Sequence, residues 1–443
     1  MDLPQKPPNT RRRGDMLKSQ EEKIRLVNGN VMIVGIDVAK KKHLARFFDS
    51  KGLEISKRLS FRNDQAGILK LVGRIMDLEQ QHGLENTIVG MEATGHYYEP
   101  LAYFLKRYPM VTVLVNPYHV KKSKEMDDNS PDKNDIKDAL LVAKLIREGR
   151  FFQMYLPEGV YRELRNLSNE YRQQRKKLNS AKNRLAVILD KHFPEYTTVF
   201  KDKLAKTSLY ILKHHPFPAE LCELSLEKLT DIIKTASNKR LGEQKAAELI
   251  NVARISIGLQ EGLDSARYRL RSCLAEIEFH QGQIEETKKQ MAECLKQTGF
   301  MKSILSIPGV GVVTAARFLG EVGDISRFEH PSQIVKLAGF NLKGNTSGKK
   351  VKSQTSITKR GRSELRCLLY QAVLVAVAKN PQIKELYNYF KTRPVNPLKP
   401  KQAMIAVCNK LIRIMYALAT QNALYDPEKV LGQFRELQLK EAA

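Results

Sequence analysis

From Val31 to about Gln153, apolar residues fall in short, strand-length runs separated by stretches of helical spacing. VMIVGID (Val31 to Asp37) is a continuous apolar run. HLARFFDS and LEISKRLSF follow as strands on either side of the turn-like Ser50-Lys51-Gly52, and Gln65 to Leu78 has the spacing of an amphipathic helix. NTIVGME (Asn86 to Glu92) and TVLVNP (Thr112 to Pro117) read as buried strands, with one helix between them and another from about Asp132 to Glu148.

Three strands, helix, strand, helix, strand, helix is the order expected of a ribonuclease H-like α/β domain, although periodicity alone admits other α/β arrangements. After Pro157 the strand signals stop. Heptads read from Leu164 place Leu164, Leu167, Tyr171, Gln174, Leu178, Ala181, Leu185 and Ile188 at the a and d positions, and only Gln174 is polar. A second seam runs from Leu263 to Cys294 through His280, which reads as a packed or partner-facing residue rather than a metal ligand. Between the seams, His215-Pro216-Phe217-Pro218 breaks the chain and Leu221 to Asn251 reads as a small helical insert. Near Met301 a helix, turn and helix begin, followed by a basic, glycine-punctuated loop and helices Ser363 to Ala378 and Lys401 to Ala419.

The 443 residues suit two to four domains, and 42% hydrophobic content excludes a wholly disordered chain. The expected division is a basic flexible tail (1–30), an α/β domain (31–155), a coiled-coil region (156–300) with its insert at about 200–251, and a mainly helical C-terminal domain (301–443). No apolar run is read as reaching the ~20 residues of a membrane span. The Arg11-Arg12-Arg13 stretch lacks the apolar segment of a secretory signal. Five scattered cysteines, none in CxxC spacing, speak against a disulfide framework and a structural zinc site and fit a reducing cytoplasm. Charge changes the picture most: 75 Lys+Arg against 48 Asp+Glu leave +27, which makes nucleic acid the leading partner through counterion release. The basic residues gather in Asn341 to Arg366, in Lys391 to Arg413 beside Tyr387, Tyr389 and Phe390, and along Tyr161 to His192.

Asp37 and Glu92 each close an apolar strand, where open α/β sheets place their ligands. Asp135 and Asp138, three apart, share one helix face, with Asp132 as a rival that reads better as the N-cap. Oxygen-only donors suit Mg²⁺ or Mn²⁺, and two such ions about 4 Å apart stabilise both the attacking and the leaving oxygen of a phosphodiester displacement. The competing account has these acids simply ending strands and solvating a helix. Pro308 to Gly311 (PGVG) reads either as a phosphate-holding hairpin or as a tight turn packing two helices.

The segments IVGIDVAKKKH, MEATGHYYEPLA, LVNPYHVKK, KNDIKDALLVAKLI, LSIPGVGVVTAARFLGEVGDISRF, KLAGFNLKGNTSGKK and ITKRGRSELRCLLYQA together resemble the IS110 (DEDD) family of insertion-sequence transposases, in order over nearly the whole chain. The resemblance implies a RuvC-like domain whose metal-binding tetrad is Asp37, Glu92, Asp135 and Asp138, and a C-terminal transposase domain whose nucleophile is Ser347 in NTSGKK. It further implies a recombinase for a mobile element that engages the element ends and a target DNA. Such an enzyme is guided by a structured non-coding RNA and works as a homo-oligomer, dimer or tetramer, in the cytoplasm of a bacterium or archaeon. In the residues alone, Ser347 reads first as part of a flexible phosphate clamp, and only the resemblance favours it as the nucleophile, with Ser353, Thr355 and Ser356 as local competitors. Lys343, Lys349, Lys350, Lys352, Lys359, Arg360 and Arg362 are the candidate nucleic-acid contacts of that loop. The alternatives are a hydrolytic junction-resolving nuclease using the same acids, and a non-catalytic nucleic-acid scaffold.

Overall fold

The computed structural model describes residues 15–92, 95–127, 135–343, 346–347, 350–351 and 356–431, in two compact units, Met1–Leu156 and Pro157–Ala443. The first is a mixed α/β unit and the second is mainly helical.

In the first unit, helix α1 (Asp15–Val27) precedes strands β1 (Val31–Asp37), β2 (Lys42–Phe48) and β3 (Glu54–Arg62). Then come α2 (Gln65–His82), β4 (Asn86–Glu92), α3 (Tyr98–Leu105), β5 (Val111–Val115), α4 (Pro117–Asp127), α5 (Asp135–Arg147) and β6 (Phe151–Gln153). Helix α1 occupies part of the stretch expected to be a flexible tail; Val27 is fully buried and the Lys23 ammonium donates to the Phe151 carbonyl at 2.6 Å. The strands form one sheet in the order β3-β2-β1-β4-β5-β6. β1, β4 and β5 are parallel, whereas β2, β3 and the short β6 run antiparallel to their neighbours.

Strand alternation divides this core into two layers. Met32, Val34, Ile36, Val89 and Met91 pack on the side of α2 and α3. Val31, Ile33, Ile88, Val113 and Val115 pack on the other, against Val142, Ala143, Leu145 and Ile146 of α5. Both faces of the parallel strands are therefore covered, which is why their sequences are apolar runs without alternation.

The second unit is built on two long helices, α6 (Gly159–His192) and α12 (Leu263–Gln297). Both heptad seams are turned inward, with Leu178 and Leu270 at 3% and 1% exposure. They face each other within one chain and run antiparallel. The Cys273 thiol donates to the Ala181 carbonyl at 3.0 Å, Arg184 pairs with Glu276, and His280 Nδ1 lies 2.6 Å from the side-chain oxygen of Gln174. Gln174 and His280, one polar residue from each seam, thus satisfy one another. Leu178→Ala is expected to cost about 2–5 kcal/mol of stability, because the lost side chain leaves a cavity between α6 and α12. Chemical denaturation measures it, and a midpoint within error of wild type would show that the seam is not core.

Between the long helices, α7 (Tyr196–Val199), α8 (Lys206–His214), α9 (Pro218–Cys222), α10 (Leu226–Ala236) and α11 (Glu243–Arg254) form the insert. Its Tyr196, Ile211, Leu229 and Leu249 share a core with Leu185 of α6 and Leu274 of α12. A second core unites α13 (Met301–Leu305), α14 (Val312–Val322), α15 (Pro331–Ala338), α16 (Ser363–Lys379), α17 (Pro381–Thr392) and α18 (Pro400–Gln421). Helix α18 is, by length and composition, long and apolar enough to cross a bilayer, which corrects the expectation that no such run exists. Its Met404, Val407, Leu411 and Met415 are buried in the unit's core. The turn Pro308 to Gly311 joins α13 to α14 and packs on α16: a β-carbon on Gly309 would lie 3.2 Å from the Ala376 backbone.

Candidate active site

The register of β1 against β4 pairs Ile36 with Met91 as its last rung. Asp37 and Glu92 follow as the next residue of each strand, side by side at their C-terminal ends. Alternation turns both toward the face covered by α5, the face of Ile33 and Ile88. Both carboxylates are half-buried.

Helix α5 lies against this face because two glycines allow it. A β-carbon on Gly35 would stand 2.1 Å from the Ala139 carbonyl oxygen, and one on Gly90 would stand 2.1 Å from the Ile146 side chain. Each glycine is two residues upstream of a strand-end acid, in VGID and VGME. The close approach seats Ala139, and Asp138 beside it, near the end of β1. Gly35→Ala is expected to push α5 off the sheet, lowering the melting temperature by several degrees and carrying Asp138 away from Asp37. A melt identical to wild type would contradict this packing.

Asp138 is 21% exposed, its Oδ1 is shut off from solvent, and it forms an ion pair with Lys124 of α4. The Asp135 backbone opens α5, and its side chain lies outside the described atoms. Among the described residues no three His, Cys, Asp or Glu side chains converge closely enough to hold an ion. Asp37, Glu92 and Asp138 therefore border one sheet edge without closing on it. The donor chemistry fits a hard divalent cation: all candidate ligands are carboxylates, and the Lys124 ammonium already supplies Asp138 with a positive counter-charge.

His43 was not singled out by sequence reasoning, yet it holds the turn that follows Asp37. It is 1% exposed, its Nδ1 accepts the Ala39 N–H at 3.2 Å, and its ring meets Phe61 edge-on. Burial pushes its pKa below the ordinary value, with the Asn63 side chain opposing the shift. A base whose folded pKa is depressed binds its proton more readily when unfolded. Its contribution to stability is therefore complete above the ordinary value near 6.5 and is lost as pH falls through the folded pKa. Thermal melts between pH 7.5 and 5 are expected to show this loss in the wild type and less of it in His43→Phe. Parallel pH profiles for the two proteins would remove His43 from this role.

In the second unit, Ser347 ends β7 (Thr346–Ser347), which pairs antiparallel with β8 (Lys350–Val351), Ser347 opposite Lys350. Only Gly348 and Lys349 intervene in the sequence. The flanking chain is tied by Lys343 N–H to the Ser356 carbonyl at 2.8 Å and by Thr358 N–H to the Asn341 carbonyl at 2.7 Å. Lys343, Lys359 and Arg360 are exposed, whereas Arg362 is engaged in the fold, donating to the Glu321 carbonyl at 2.6 Å. Lys349, Lys352, Ser353 and Thr355 lie outside the described residues, as do the side chains of Ser347 and Lys350.

Two family models match this chain. One, a transposase model of the DEDD IS110 type, covers residues 34–194, and the other, described as transposase IS116/IS110/IS902 family, covers residues 301–388. The chain belongs to the IS110 family of transposases. The first match takes in Asp37, Glu92, Asp135 and Asp138, and the second takes in Ser347. Among its relatives, this IS110-family chain is 30% identical to the pilin gene-inverting protein of Moraxella lacunata over 146 residues, 32% of the chain and 44% of that protein. The match thus spans less than half the length of that relative. The uncharacterized 44.8 kDa protein of insertion element IS116 from Streptomyces clavuligerus is 22% identical over 401 residues, 90% of this chain and 97% of its own length. The transposase for insertion sequence element IS1111A from Coxiella burnetii is 29% identical over 170 residues, 37% of this chain and 45% of its own length.

Proposed function

We propose that this protein is a DNA recombinase that excises and inserts a mobile element, with a RuvC-like first unit, a coiled-coil middle and a serine-bearing transposase domain. The observation that carries the reading is the pairing of Asp37 and Glu92 at neighbouring strand ends, beneath the helix that bears Asp135 and Asp138. Carboxylates gathered at neighbouring strand ends suit the divalent cations that phosphodiester cleavage uses, and the family match spans these residues, which supports the reading. Guidance by a structured RNA and assembly into a dimer or tetramer rest on the family resemblance, and the +27 charge supports extensive nucleic-acid contact. A cytoplasmic, nucleoid-associated location follows from the same reading.

In the mechanism, Ser347 Oγ attacks a DNA phosphorus. The bond from phosphorus to one deoxyribose oxygen breaks, the serine proton is given up, and the departing hydroxyl takes one. The phosphoserine link conserves the bond energy, so the reverse attack by another strand's hydroxyl reseals DNA without a nucleotide cofactor. Asp37, Glu92, Asp135 and Asp138 would hold Mg²⁺ or Mn²⁺, which when bound supplies positive charge to the phosphate oxygens. Lys343, Lys359 and Arg360, exposed on the chain flanking the Ser347 hairpin, hold the backbone for attack. Lys349, Lys350 and Lys352 are assigned the same role.

Cleavage of DNA carrying the element ends is expected to vanish in excess chelator and return with Mg²⁺ or Mn²⁺. Cleavage unaffected by chelation would refute the acidic site.

A further inference from the structure

The face of the sheet that carries Asp37 continues past α5 to the far side of β2 and β3, where several of its described residues are exposed. The register pairs Asp37 with Leu44, Gly35 with Arg46, Leu44 with Ser60 and Lys42 with Arg62. Directly opposite residues share a face, and alternation from Ser60 adds Arg58. Lys42, Arg58, Ser60 and Arg62 are exposed there, and Leu44 and Arg46 are half-buried. Arg46, Glu54, Lys57 and Arg58 line an open depression on it.

A sheet face built for packing would carry apolar residues at these alternate positions; this one carries four cations. Glu54 is the acid among them, held below its ordinary pKa first by the hydrogen bond from Arg46, with Arg58 adding to its field. Arg62 pairs with Asp64, an exposed contact of the kind that contributes little and is readily exchanged. Lys42 forms no ion pair among the described residues. Strands stand about 4.8 Å apart, so the row Glu92, Asp37, Leu44, Ser60 runs roughly 10 Å from the acids to the open edge. With one charge per about 3.4 Å of strand, several phosphates fit over that distance.

We propose that the exposed β2–β3 half of this face is a DNA-binding surface, on which Lys42, Arg58 and Arg62 take the phosphates flanking the one presented to Asp37 and Glu92. DNA is the chosen occupant because the surface leads to the acids assigned to DNA cleavage, so the inference rests on the proposed function. The half-buried Leu44 stands opposite Asp37, placing an uncharged step between the acids and the cations.

Lysine acetylation of the full-length protein, read by mass spectrometry with and without a duplex DNA oligonucleotide, tests it. DNA is expected to slow modification of Lys42 several-fold and to leave the exposed Lys70 of α2, on another surface, unchanged. Lys42→Ala and Arg58→Ala are each expected to weaken DNA binding and to reduce the salt-dependence slope by about 1, with melting temperatures unchanged. Equal modification of Lys42 with and without DNA overturns the proposal, and so does protection by an RNA of the same sequence but not by DNA. Protection that persists in Asp37→Asn, together with unchanged cleavage by that variant, would sink the acidic-site reading and leave the surface standing.

Discussion

Asp37→Asn and Asp138→Asn are each expected to lower DNA strand cleavage by roughly 100-fold or more while DNA and RNA binding persist. Asparagine keeps the size of the side chain and removes the negative charge that a divalent cation requires. The two variants differ in a second respect. Asp138 has the Lys124 ammonium as its partner, so Asp138→Asn leaves that half-buried charge uncompensated and is expected to cost some stability as well. Asp37→Asn, at the open end of β1, is the cleaner test. Cleavage measured at saturating DNA decides the matter, and wild-type rates in Asp37→Asn would withdraw the acidic site.

Ser347→Ala is expected to abolish recombination, by at least roughly a thousandfold, with no loss of nucleic-acid binding. The hydroxyl is the only group removed, and the β7–β8 pairing that presents it is made by backbone atoms. Denaturing gels of the wild type incubated with DNA should carry a covalent protein–DNA species that the variant lacks. A water-using nuclease forms no such adduct and tolerates the change with modest loss. An adduct that survives in Ser347→Ala would move the nucleophile to Ser353, Thr355 or Ser356.

The strands bearing the first two acids were legible because they are buried on both faces. The apolar stretches VMIVGI of the first and IVGM of the second have no polar interruption, and β1 and β4 begin and end where VMIVGID and NTIVGME do. Helix α4 and strand β6 were not anticipated. The first is weakly amphipathic, PYHVKKSKEMD, and the second is three residues whose pairing depends on β5 lying alongside. His43 sits one position after KKK in a segment whose charge drew attention to itself, and nothing local marks it as buried. The repeated glycine before each acid was the one available sign that a helix would lie close by.

The amino-acid sequence by itself determined most of the strands and helices, α1, α4 and β6 excepted, the net positive charge, the family, and the identity of the candidate acids and serine. These are properties of local pattern and composition, and they are read one segment at a time. Tertiary structure alone decided three things. It set Asp37 beside Glu92, because strand register is a relation between segments 55 residues apart that neither contains. It matched the two heptad seams to each other within one chain, although the same pattern is equally satisfied by a second copy. And it left Lys42, Arg58, Ser60 and Arg62 of the Asp37 face exposed, because which part of a sheet face a helix covers is a relation between distant segments that no one of them contains.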